Sequence, residues 1–169
     1  MKKLLLLLVP AIVLFSCNDD NDDINISAEA TWKLTSITTS EPTDINNDGT
    51  ATTNFIAETN CYNNSNLILS QGNTANAMLE ELEISLDLFN GNTNQLEYSV
   101  FCGPATDTFG TWSQETNTVT VIIENEPVIF TLDGNTLSTT LPEFVSFEVL
   151  ENNVYVSKSF GANLVFTRQ

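Results

Sequence analysis

The stretch Asp44-Ile45-Asn46-Asn47-Asp48-Gly49-Thr50 comes nearest, by residue type and spacing, to a site with chemistry in it. Hard cations take oxygen ligands, and alternate positions 1, 3 and 5 of a tight turn supply them from one side. Asp44, Asn46 and Asp48 fit those positions, Gly49 permits the bend at position 6, and Thr50 would offer its backbone carbonyl at position 7. Position 12 calls for a bidentate Glu and is Phe55 instead. Glu58 lies three residues further on, and Glu41 is another candidate. A bound Ca2+ would be structural, ordering the polar connection from Thr39 to Ser65, with an affinity of roughly 10⁻⁴–10⁻³ M. The same residues also build turns with no metal, because Asx side chains cap their own backbone. Both readings stand at this point. Paired carboxylates for hydrolysis occur at Glu80-Glu81, Glu124/Glu126 and Glu148/Glu151, but 22 acidic residues generate such neighbours by composition. The chain has no His, which removes Ser-His-Asp and Cys-His catalysis, and two Cys without His make a poor zinc site. The expectation is a protein that is not an enzyme.

Lys2 and Lys3 precede a continuous apolar run, Leu4 to Phe15, too short to span a bilayer and of the length of a signal-peptide core. Leu14-Phe15-Ser16-Cys17 closes it. This resembles the lipobox of bacterial lipoprotein signal peptides. The resemblance implies cleavage after residue 16 and fatty acyl chains on Cys17, which hold a protein on a membrane. It implies an outer-membrane, lipid-anchored location, at the cell surface or the periplasmic face. Asn18-Asp19-Asp20-Asn21-Asp22-Asp23 has nothing apolar to bury and reads as a flexible tether, so residues 17–27 form a leash. The tract is also similar to the acidic export signal of surface lipoproteins of the Bacteroidetes type. With Cys17 acylated, Cys61 and Cys102 remain as an even pair in an oxidising space, and a disulfide is expected.

Composition bounds the partners. The formal net charge is −17, and loss of residues 1–16 would take two of the five basic residues with it. Such a chain cannot neutralise a row of phosphates, so nucleic acid is excluded, and contact with anionic lipid is expected only through the acyl chains. Residues 28–169 suffice for one domain with a real core. A monomer is expected.

The elements that must position these residues read as strand after strand. Thr31–Thr38, Leu67–Leu69, Met78–Phe89, Leu96–Cys102, Phe109–Ser113, Thr118–Ile123, Val128–Leu132, Thr136–Leu141, Phe144–Val149, Val154–Val156 and Leu164–Thr167 carry strand patterning. Gly103-Pro104, Glu126-Pro127, Asp133-Gly134-Asn135 and Leu141-Pro142-Glu143 are turn signals between them. Ala75 to Leu82 reads alternatively as helix. Short strands at this spacing predict an all-β, antiparallel fold, either a barrel or a β-sandwich.

The Cys17 lipobox, the acidic tether, Thr31-Trp32-Lys33-Leu34, an Asp-rich loop before a Cys, and Gly110-Thr111-Trp112 together resemble bacterial lipocalin-like domain lipoproteins of the Bacteroidetes and Flavobacteria type. The resemblance spans about Ala28 to Arg168 and implies an up-and-down, lipocalin-like β-barrel of about eight strands with an apolar interior; a small hydrophobic ligand held there is the expected function. Trp32, Trp112, Phe130 and Phe147 are the residues expected to line that interior if it is not simply filled core.

Overall fold

The computed structural model describes residues 26–88, 96–151 and 154–169. The expected signal peptide, Cys17 and most of the expected tether lie outside the described residues. The strands are β1 (Ala30–Thr43), β2 (Thr52–Asn54), β3 (Asn66–Ser70), β4 (Thr74–Leu88), β5 (Leu96–Glu115), β6 (Thr118–Ile123), β7 (Glu126–Asp133), β8 (Thr136–Glu151) and β9 (Val154–Arg168). A one-turn helix, α1 (Phe55–Thr59), follows β2. From β3 to β9 every strand pairs antiparallel with the next, and β1 pairs with both β3 and β9. Eight strands therefore close on themselves in the lipocalin-like manner, and β2 adds to the free upper part of β1 beyond β3. Closure through β1 and β9 excludes the sandwich.

The short hairpins follow from turn chemistry. β5–β6, β6–β7 and β7–β8 are joined by two-residue loops. Each needs left-handed backbone, which matches the right-handed twist of the flanking strands. Thr116, Glu124, Asn125 and Gly134 supply it, with φ of 54°, 53°, 71° and 55°. The turn expected at Glu126-Pro127 thus sits two residues earlier, and Pro127 lies within β7 opposite Ile122.

Several expected strand ends are not ends. Gly103-Pro104 lies inside β5, where the register slips between Glu80↔Ala105 and Leu82↔Cys102. Pro142-Glu143-Phe144 lies inside β8, opposite the single residue Gly161. Pro cannot donate to a ladder, so within a strand it collects at bulges. A Cβ on Gly161 would meet the Pro142 carbonyl oxygen at 2.9 Å, so only glycine fits that bend. The helical alternative for Ala75–Leu82 is overturned: the segment is β4 throughout. The connection after β1 is also less open than expected, since β1 runs to Thr43 and β2 and α1 follow. Asn54 caps α1 by accepting from the Ala57 N–H at 3.3 Å, and Asn60 ends it in the left-handed region.

The two ends of the barrel are finished differently. At one, Trp32 is fully buried and its indole N–H donates to the Ala28 carbonyl at 2.8 Å. The Arg168 guanidinium lies 4.6 Å from that ring and donates to the carbonyls of Ser27 and Glu29. Gln114 accepts from Ala28 N–H and donates to Ile26 O, so the segment before β1 is stitched across the opening. Truncating Trp32 to Ala would cost about 3–5 kcal/mol. At the other end the β4–β5 and β8–β9 hairpins reach past the rest, and the segment after β1 packs there. Its Ile45, Phe55, Cys61 and Tyr62 are buried, with Phe55, Tyr62 and Phe144 in mutual ring contact.

Candidate functional site

Strand alternation sends Leu67, Ala77, Val121, Phe130, Leu164 and Phe166 inward, and they surround a cavity of about 110 Å³. Leu79, Ile123 and Leu141 form its upper part, and Leu79 is 40 % exposed, so the cavity opens there. The opening follows from unequal strand lengths. β6 and β7 make a short hairpin between the two long ones, and β7 pairs with β8 only from Thr131↔Ser138 to Asp133↔Thr136. Above that, the Thr139 hydroxyl donates to the Ile129 carbonyl at 2.8 Å and bridges the parting strands. Thr139 is the single polar side chain on the cavity wall.

Of the four aromatic residues expected around a ligand, Phe130 lines the cavity, edge-on to Phe166 at 5.9 Å. Trp32 forms the sealed end. Phe147 stacks on Phe160 at 4.7 Å and meets Tyr98 edge-on, between the long hairpins. Trp112 is half-buried, and its indole N–H donates to the Ser70 carbonyl. The structure does not bring these four together. The aliphatic residues of the wall were missed by sequence reasoning. The signal that could have found them is the inward alternation at Ala75/Ala77 and Val119/Val121, where small side chains face Phe130 and Phe166.

The structure does gather Asp44, Asn46 and Asp48 on one turn. Asp44 accepts from the N–H groups of Asp48 and Gly49 at 3.0 and 2.9 Å, Asn46 from that of Asp48, and Asp48 from that of Thr50 at 2.8 Å. Gly49 has φ +86°. Glu58 is 3 % exposed and lies under the loop. One of its oxygens accepts from Ile45 and Asn46 N–H, the other from the Thr52 hydroxyl. Its carboxylate thus binds the loop's backbone. Glu41 is ion-paired with Lys158 at 2.6 Å. Asn47 fastens the loop to β5 through both the N–H and the carbonyl of Tyr98. Among the described residues, no three His, Cys, Asp or Glu side chains converge to hold a metal.

Cys61 and Cys102 form a disulfide, with Cα atoms 5.5 Å apart. It ties the loop that follows α1 to β5, one residue from the Gly103-Pro104 bulge. Tyr62, next to it, is pushed up to about 12, first by burial and then by the Glu80 carboxylate. Burial also raises Tyr98. Of the carboxylate neighbours, Glu80 accepts from the Asn64 side chain; Glu124 lies in the exposed β6–β7 turn and Glu126 opens β7 just after it.

Comparison with protein-family models, curated proteins and solved structures finds no match. A functional reading therefore rests on the geometry of this chain.

Proposed function

We propose that the protein is a membrane-anchored lipoprotein whose barrel binds a small apolar ligand. The observation that carries this is the carbon-walled cavity of about 110 Å³, open past Leu79 and Ile123. Sites for drug-sized ligands run to roughly 300–1,000 Å³, whereas an apolar protein cavity of about 150 Å³ holds benzene. The present cavity is smaller than that but open, so the fitting ligand is the apolar end of a longer molecule, or a small ring that sits partly in the mouth. Acylated Cys17 would hold the barrel on the outer membrane, at the cell surface or periplasmic face. The Cys61–Cys102 bond supports an oxidising location. Titrating the protein with benzene and with a short alkyl alcohol, followed by methyl NMR of the wall leucines and valines, tests the reading. Shifts confined to the wall, abolished by Ala77→Phe, are expected. Unshifted wall resonances at saturating ligand would sink it.

A second reading is a cargo-free accessory module of a surface complex, its long loop stiffened by Ca2+. The small interior volume and the gathering of Asp44, Asn46 and Asp48 favour it. Thermal melts in calcium and in EDTA that differ by several degrees, and no longer differ in Asp44→Ala, are the expected sign of the ion.

A further inference from the structure

The outer face of β5, β6 and β7 is where the surface pattern breaks. Most outward positions on these strands are polar, among them Thr111, Ser113, Thr118, Thr120 and Thr131. Phe109, Ile122, Pro127 and Ile129 interrupt them, with Phe109 73 % and Ile129 63 % exposed. Register makes them one patch. Ile122 lies opposite both Thr111 and Pro127; Phe109 is two residues from Thr111 toward the β6–β7 turn and Ile129 two from Pro127 away from it, level with Thr120, so the four form a diagonal stripe through Ile122. Direct cross-strand neighbours touch, and diagonal ones are within reach of long side chains. None of the four contributes to the interior, so the fold does not require them to be apolar.

Charge says what covers the patch. Exposed Asp107, Glu124 and Glu126 border it. No Lys or Arg occurs between Lys33 and Lys158. The cations of the described residues, Lys33, Lys158 and Arg168, are on β1 and β9, across the barrel from β5 and β6. A second copy would bring carboxylates against carboxylates, and an anionic membrane would be repelled. We propose that this face docks a cationic, amphipathic polypeptide segment, apolar side chains on Phe109, Ile122 and Ile129 and Lys or Arg against Glu124, Glu126 and Asp107. This gives the accessory reading its partner class and rests on that reading, independent of the cavity.

The test uses a short synthetic peptide alternating lysine with leucine, titrated by fluorescence anisotropy at physiological salt. Phe109→Ser and Ile129→Lys are each expected to weaken binding about tenfold, as truncation at the centre of an interface does. Glu124→Gln with Glu126→Gln should weaken it several-fold and flatten its salt dependence. Phe101→Ser, another well-exposed aromatic elsewhere on β5, should leave it unchanged. Each variant is first shown to keep the wild-type melting temperature, and the two patch variants stand in for one another. The proposal is overturned if wild type does not bind, if a glutamate–leucine peptide binds equally well, or if Phe101→Ser is as damaging as Phe109→Ser. It is also overturned if sedimentation finds a dimer that Phe109→Ser dissociates, since a second copy then covers the face. A failed patch with wall shifts intact would leave the cavity reading standing.

Discussion

Glu58 shows how much one buried side chain can organise. Its two oxygens answer the buried Ile45 N–H, the Asn46 N–H and the Thr52 hydroxyl. Glu58→Gln keeps the shape, with its amide oxygen toward the two N–H groups and its NH2 toward the Thr52 hydroxyl, but exchanges charge-assisted bonds for weaker neutral ones. It should cost about 2 kcal/mol, read as a drop of several degrees in melting temperature. Tyr62 makes a different prediction. The folded protein keeps its phenolic proton up to about pH 12, while the unfolded chain loses it near pH 10. Between those values the unfolded state sheds a proton that the folded state retains, so stability falls as pH rises. The loss should reach about 2–3 kcal/mol by pH 12, measured by urea melts, and Tyr62→Phe should remove that part of the slope. Neither residue stood out in the sequence. Glu58 was legible only as a stray ligand for the Asp44 loop, because nothing local says that a carboxylate will be buried beneath it.

At the scale of elements, the disulfide and the bulges share one job, setting the course of long strands and the loop beside them. The bond closes a separation of 41 residues. Replacing both Cys61 and Cys102 by Ala should therefore cost about 4 kcal/mol by chain-entropy reasoning. Amide exchange should rise most in residues 55–65 and least in β6–β7. The β7–β8 hairpin was legible because Asp133-Gly134-Asn135 speaks through local chemistry, as do β-branched runs such as Thr118–Ile123; the β6–β7 turn was expected two residues late, and Thr116-Asn117 carried no turn signal. The bulges were not legible. Gly103-Pro104 and Pro142-Glu143 look like strand ends locally, and only pairing with Glu81 and Gly161 carries the strands through. In β4 the inward positions run 75, 77, 79 and then 82, 84, 86, so the phase slips opposite the bulge. Across that slip, 75, 79 and 82 are at helical spacing, which is why the segment reads both ways. The cavity was illegible for a related reason. Its volume is the circumference of eight strands less the side chains turned inward, and no single residue reports it.

Over the whole molecule, the sealed end ties both flanks of the domain together. Arg168 in β9 reaches the Trp32 ring and the carbonyls of Ser27 and Glu29. Arg168→Ala should cost about 2 kcal/mol and raise exchange at residues 26–32, while leaving the Asp44 loop unchanged. The barrel order has a kinetic consequence as well. Trp32 faces Arg168 and Leu34 faces Phe166, so the ladder that completes the ring joins positions more than a hundred residues apart. Such distant pairing makes for slow folders, in the range of milliseconds to seconds. Stopped-flow refolding with the disulfide intact should show that regime. A chain emerging N-terminus first would therefore hold one edge of β1 unmatched until β9 arrives, and an unpaired edge is where strands join the wrong partner.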